Sequence, residues 1–462
     1  MDSKKKKIDM TTGPILRNIF LFAIPMVLGN VLQQLYTTVD TLVIGNYCGD
    51  TSLAAVGTSS QPVEVLLCIF LGIGTGVSIL VSQCVGRKDE EGVRTLCETA
   101  ISFVYIIGVP LGVIGWFTVP LILKGMDVPE DAWNEALIYT RVILLGTLGN
   151  IGYNMNAGIL RGLGDSKASL WFLVISCISN IVLDLALVAG LKMDVSGAAL
   201  STSIAMFISW FASIRYILRR FPELHFTVLP KRLSVRTLRR IIAIGLPIGL
   251  NNSLYSFGHV AIQTLVNAQG SVFMAGNSVA GRITGLSNIA ITGMSSAAST
   301  FSGQNYGARN FDRLRSGYMK IPLLSGAITL SFGLFFILIH RPIIGFFSDD
   351  PTVLMYASRY VVVVLLSQWM YAVFNGLSNI VQGTGRVKYT TLVNILMLWA
   401  VRIPSAYLIA HYYDGTWNML CFPISFGFGM LCMLGYCIIN PSWKAVLRGE
   451  EQEKMQSRIK AA

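Results

Sequence analysis

Charge is scarce in this chain. Only 13% of its 462 residues are Asp, Glu, Lys or Arg, and 53% are hydrophobic; roughly 25% charged is usual for a soluble domain. A chain so poor in charge cannot cover a water-facing surface, so it reads as an integral membrane protein. No loop between the apolar runs is long enough to house a soluble ATPase or catalytic domain. An enzyme is therefore not expected, nor an ATPase subunit, and any work must draw on an ion gradient. Cysteine is also sparse where a disulfide would need it. Of the 8 cysteines, Cys68, Cys177, Cys421, Cys432 and Cys437 lie in apolar runs and only Cys48 borders an outer loop, which argues against a disulfide framework. The first apolar run is too long for a signal core and lacks an Ala-x-Ala-like site, so it is expected to be a retained span.

Apolar segments of about 20 residues, enough to cross ~30 Å of hydrocarbon, are placed at residues 15–40, 57–82, 97–121, 137–160, 169–190 and 197–218. Six more follow at 239–264, 276–301, 318–340, 357–381, 389–410 and 417–439. The expected architecture is all-α, with twelve transmembrane helices in two six-helix repeats. The net charge of +12 then reports membrane orientation rather than nucleic-acid binding, because Lys and Arg concentrate in cytoplasmic loops. They occupy the tail at Lys4 to Lys7, alternate loops, the stretch from Arg215 to Arg240, and the far tail from Lys444 to Lys460. Only Lys124, Arg141, Lys192, Arg282, Arg341, Arg359 and Arg402 of the 36 basic residues fall elsewhere. The expected division is a basic tail at 1–14, a first lobe at 15–218, a basic linker at 219–238, a second lobe at 239–440 and a tail at 441–462, with both termini cytoplasmic.

The two sets of six are copies. Arg161-Gly162-Leu163-Gly164-Asp165-Ser166-Lys167 returns as Gln382-Gly383-Thr384-Gly385-Arg386-Val387-Lys388, an offset of 221 residues, and Gln83 to Gly86 returns as Gln304 to Gly307. Pro25 and Pro247 hold matched places in the first helix of each half, and Pro25 is a candidate hinge because proline interrupts the helical hydrogen-bond ladder. The glycines of the 162–167 motif lack Walker spacing and read as helix-ending turns. Gly72-Ile-Gly-Thr-Gly76 and Gly281-Arg-Ile-Thr-Gly285 read as small-residue seams between helices.

Ionisable groups inside apolar helices cost several kcal/mol and mark pathways. Asp40 in the first span and Asp184 in the fifth reach a common depth, roughly 9 Å inside the outer boundary at ~1.5 Å per residue, and Thr202 in the sixth reaches it from the other direction. Asn180 lies one turn from Asp184 on the same face. Oxygen donors suit a hard cation, and two carboxylates sharing a site favour retention of a proton. Asp40, Asn180, Asp184 and Thr202 are thus candidates to hold H+ or Na+ as the coupling ion; no other cofactor is expected. The second half places Ile262 where the repeat has Asp40 and Ser405 where it has Asp184, and its buried charges are Arg282 and Arg402, beside His259. Those arginines are expected either to face a wet cavity or to pair with carbonyls. Met26, Tyr36, Glu64, Tyr153, Met155, Phe172, Tyr255 and Phe257 complete the candidate cavity residues, flexible and aromatic side chains suiting an adaptable apolar pocket.

The first span from Ile24-Pro25 to Tyr36-Thr-Thr-Val-Asp40, the Gln83–Gly86 and Arg161–Lys167 motifs and Asn180-Ile-Val-Leu-Asp184 together resemble the multidrug and toxic compound extrusion transporters, over nearly the whole chain. Within that family the match is closer to the prokaryotic DinF-like branch, to whose cation or proton site Asp40, Asn180, Asp184 and Thr202 correspond; the acidic residues that the NorM-like branch keeps in spans 7 and 10 are missing. The resemblance implies a V-shaped pair of lobes around a central cavity in the cell membrane. It also implies a monomer exporting small amphipathic, cationic drugs or metabolites by alternating access against inward H+ or Na+ flow. Two rivals remain open. A lipid-linked sugar or polyprenol flippase should line its cavity with several cationic residues, and a non-transporting scaffold or receptor has no need of two carboxylates at one depth.

Overall fold

A computed structural model describes residues 8–126, 128–224, 229–230 and 233–450, and among them there is no strand. Lys4 to Lys7, Asp127, Lys231 and Arg232 of the linker, and Lys454, Arg458 and Lys460 lie outside the described residues.

The helices run in the order α1 Ile15–Tyr47, α2 Asp50–Arg87, α3 Glu90–Gly125, α4 Glu130–Gly162, α5 Ser166–Asp184 with a π turn at Leu185–Gly190, and α6 Asp194–Arg220. The second series is α7 Val235–Asn267, α8 Ser271–Gly307, α9 Phe311–Gly345, α10 Pro351–Gly383, α11 Val387–Ile395, α12 Ile403–Ile409 and α13 Cys421–Ile439; a π turn at Leu396–Arg402 joins α11 to α12, and α14 Pro441–Arg448 follows. Each of the twelve expected spans falls in one of these helical stretches. By length and composition alone, 8 stretches among the described residues are apolar enough to cross a membrane. The difference has a plain cause: residues 387–439 count as one continuous stretch, and α4, α7 and α8 are diluted by Asn, Gly, Ser and Thr.

The repeat is legible in the backbone. The left-handed residues Gly49, Lys88 and Gly164, with φ of 88°, 57° and 89°, return as Gly270, Arg309 and Gly385, with φ of 92°, 57° and 91°. Every pair is separated by 221 positions, as in the sequence motif. Glycine tolerates such angles without steric cost, which is why the helix-ending motif keeps Gly164 and Gly385. Asp165 caps α5 by accepting from the Ala168 amide at 3.0 Å, whereas Arg386 at the matched position caps nothing with its side chain.

The chain forms two compact units that do not coincide with the sequence halves. One comprises Met1–Ile8 and Leu28–Ser253, the other Asp9–Val27 and Leu254–Ala462. Helix α1 therefore changes unit two residues after Pro25, and α7 six residues after Pro247. In the first unit, α2 and the early part of α7 meet backbone to backbone: a Cβ on Gly72 or Gly76 would overlap the main chain of Gly249 or Gly245. The Gly72–Gly76 seam is thus a true close approach. Gly281 and Gly285 are not; a Cβ on either meets nothing within 4 Å, so the second expected seam is corrected. In a detergent melting assay Gly72→Leu should be strongly destabilising, by about 1–3 kcal/mol of overpacking or more, whereas Gly281→Ala should be neutral.

In the second unit, the segment before α1 is tied down by backbone recognition. Arg313 donates to the carbonyls of Met10, Gly13 and Thr12 at 2.9, 2.7 and 2.9 Å, and Gln304 accepts from the Met10 amide at 3.0 Å. The 8 cysteines are all free, so they can be removed to test orientation. Single cysteines at Asp50, Asp127 and Asp414 should react with an impermeant thiol reagent added outside, and those at Ser166 and Arg313 should not. Equal labelling of Ser166 and Asp127 would eliminate the twelve-span arrangement.

Candidate functional site

Three helices of the first unit bring the expected residues together. Asp184 ends α5 at 0% exposure, and Asn180, one turn earlier, is 1% exposed. With its Nδ2 toward Asp184, the Asn180 carboxamide donates to Asp184 Oδ2 at 2.8 Å and its oxygen accepts from Thr202 Oγ1 at 3.3 Å and the Thr202 amide at 3.2 Å. One amide thereby ties α5 to α6. Asp40 on α1 lies within hydrogen-bonding reach of Asp184. Tyr36, one turn before Asp40, places its hydroxyl 3.3 Å from Thr202 Oγ1.

Two further residues join that sequence reasoning did not select. Ser201 lies beside Asp184 with its hydroxyl donating to the Gly197 carbonyl at 2.8 Å, and the buried Tyr139 of α4 faces both carboxylates. Ser201 stands next to Thr202 and could have been found by asking which neighbour also reaches α5. Tyr139 carries no such signal, because an aromatic in an apolar helix looks like ordinary packing.

The electrostatics are those of an unfinished shell. Asp40 Oδ1 and Asp184 Oδ1 are buried without a hydrogen-bond partner, and neither carboxylate forms an ion pair among the described residues. Two bare negative charges in a low-dielectric interior would each cost several kcal/mol. The arrangement therefore suits a proton or a small hard cation, whose charge would be met by carboxylate, amide and hydroxyl oxygens. No three His, Cys, Asp or Glu side chains converge among the described residues, so the donor set is not that of a Zn2+ centre.

The other candidates are dispersed. Tyr36 belongs to the carboxylate cluster itself. Tyr153, Met155 and Phe172 are buried in the first unit, with Phe172 edge-on to Tyr216 at 5.5 Å. Met26 is half-buried in α1 just past Pro25, and Glu64 is exposed on α2. Phe257 is exposed on α7, and Arg282 is exposed on α8 with its guanidinium 6.0 Å from the Phe347 ring.

Arg402 is different from either expected reading. It is 0% exposed, and its bonds go to hydroxyls, from Nε to Ser425 and from Nη1 to Tyr255, each at 2.9 Å. The rings of Phe422, Phe426 and Tyr255 lie 4.9, 5.0 and 5.6 Å from the guanidinium carbon. His259 packs edge-on to Tyr255 at 4.8 Å.

Comparison with known proteins agrees with this architecture. The MatE family model matches residues 25–186 and again 247–408. "Probable multidrug resistance protein YoeA" of Bacillus subtilis (strain 168) is 28% identical over 438 residues, covering 91% of this chain and 93% of its own. "DNA damage-inducible protein F" of Escherichia coli (strain K12) is 26% identical over 356 residues, covering 76% and 77%. The fold is also that of a solved structure described as an outward-facing conformation of a multidrug resistance MATE family transporter of the MOP superfamily, with a TM-score of 0.88, 23% identity and coverage of 96% of this chain and 99% of that one.

Proposed function

This chain belongs to the MatE family, and from that membership we propose that it is an ion-driven antiporter that exports small amphipathic, cationic drugs or metabolites by alternating access. The observation that carries the reading is the buried contact of Asp40 with Asp184, which has no counter-charge of its own and is braced by Asn180 and Thr202. A proton or Na+ entering this cluster removes buried negative charge. It drives transport only to the extent that it binds one conformation better than the other.

Helix α1 offers the means of transmitting that preference. Asp40 and Tyr36 lie on its second part, whereas Pro25 lies just before the helix passes from one compact unit to the other. Pro25 deprives the ladder of one amide donor, so bending there is less costly than elsewhere in the helix. Occupancy of the Asp40 site would then bias a bend at Pro25, and with it access to the substrate.

The test is export from proteoliposomes in which a H+ gradient and a Na+ gradient are imposed separately. Either gradient alone should drive efflux of a lipophilic cation. Efflux indifferent to both would overturn the antiport reading. The flippase alternative gains no specific support, since Arg282 and Arg402 have unrelated surroundings, one exposed beside Phe347 and the other enclosed by Tyr255, Phe422 and Phe426.

A further inference from the structure

We propose that the second compact unit contains a binding site for a small monovalent anion, centred on the Arg402 guanidinium. Arg402 is completely buried, and its Nη2 has no hydrogen-bond partner. The groups it does touch are neutral: the Ser425 and Tyr255 hydroxyls and three aromatic rings.

Among the described residues no carboxylate pairs with it. From Leu254 to Asn440 the acidic residues are Asp312, Asp349, Asp350 and Asp414, and each lies at a helix end: Asp312 in the first turn of α9, Asp349 and Asp350 just before α10, and Asp414 after α12. Aromatic faces attract a guanidinium, but they accept no hydrogen bond from Nη2 as strong as an anion would. A lone buried cation with free N–H groups therefore lacks both a charge and an acceptor, and one anion supplies both.

The register of the repeat sharpens the point. The 221-residue spacing that sets Ser405 opposite Asp184 sets Arg402 opposite Ile181, the neighbour of Asn180 in the chain. The first unit there has carboxylates short of a cation, and the second has a cation short of an anion. The site offers one positive charge and the two N–H groups of Nη2. That suits a halide or a single carboxylate oxygen and is too little for a phosphate dianion. Chloride and the carboxylate of a small solute present the same chemistry.

The experiment is the melting of the purified full-length protein in detergent, titrated with sodium chloride, sodium acetate or sodium gluconate at constant Na+ and ionic strength. Chloride or acetate should raise Tm saturably, and gluconate, too bulky for the enclosed site, should not. Saturation by chloride identifies a free-anion site. Saturation by acetate alone identifies a site for a small carboxylate rather than a halide. Arg402→Lys should raise the half-saturating concentration at least tenfold, and Arg402→Met should abolish the shift, while the exposed Arg282→Gln should leave it unchanged. Tyr255→Phe, which retains the charge but not the orienting hydroxyl, should weaken the response severalfold and gives a readout even if Arg402→Met does not fold. A wild-type Tm with the same dependence on all three anions would overturn the proposal, as would an unaltered response in Arg402→Lys and Tyr255→Phe. The readout involves no transport, so its failure would leave the antiport reading standing.

Discussion

Asp40→Asn should reduce gradient-driven export to the level of empty vesicles while leaving the protein folded. The substitution preserves shape and fixes the neutral state that ion binding otherwise creates reversibly, so the ion loses its power to distinguish the two conformations and can do no work. Melting temperature should stay level or rise, because a buried carboxylate without a counter-charge is itself costly. Asp184→Asn should be similarly inactive. It also alters the acceptor for Asn180 and should therefore melt lower than Asp40→Asn. Near wild-type efflux by a well-folded Asp40→Asn protein would make the carboxylate structural and remove the centre of the proposed mechanism.

Asn180→Ala should separate the two ions. If H+ and Na+ occupy one cluster they compete, so Na+ should stimulate export most at alkaline pH and lose its effect as pH falls, measured across about pH 8.5 to 5.5. The Asn180 carboxamide can ligate a metal but carries no titrating proton. Its removal should weaken Na+ dependence by roughly tenfold, the cost of about 1.4 kcal/mol in lost ligation, and leave the proton-driven rate within about twofold. The comparison is Na+-dependent efflux across that pH range for the wild type and the variant. Equal loss of both activities, or a Na+ effect indifferent to pH, would mean that the ions use different places.

The twelve helices were readable because the bilayer imposes a length on every apolar run, and the repeat because 221-residue spacing preserves unusual motifs such as Gly164 and Gly385. The carboxylate cluster was readable for a related reason: Asp40 and Asp184 stand out against apolar surroundings, and counting turns from the helix ends gives their depth. What the sequence hid is what needs a third dimension. Tyr139 is one aromatic among many until α4 is placed beside α1. Tyr36 was read as a cavity residue, and its hydroxyl contact with Thr202 is visible only once α1 and α6 are placed together. Arg402 was expected to meet water or carbonyls, yet it bonds Ser425 of the following span and Tyr255, which is distant in the chain. The exchange of α1 and α7 between compact units likewise has no local signature, because a helix looks the same whichever unit it packs against.

Lys88 and Arg309 expose a conflict between folding and biogenesis. Both hold a left-handed backbone, at φ of 57°, where a side chain costs about 1–2 kcal/mol and glycine costs nothing. Glycine already serves at Gly49, Gly164, Gly270 and Gly385 in the same chain. Among the described residues Lys192 and Asp194 also hold positive φ, of 53° and 49°, but only Lys88 and Arg309 are a pair matched across the repeat, and both are cations in loops expected on the cytoplasmic side. A nascent chain is oriented by the positive charges flanking its hydrophobic segments before any helix has packed. The finished protein would gain from glycine at both turns, whereas the chain being inserted would lose two of the marks that tell the membrane which way to thread it.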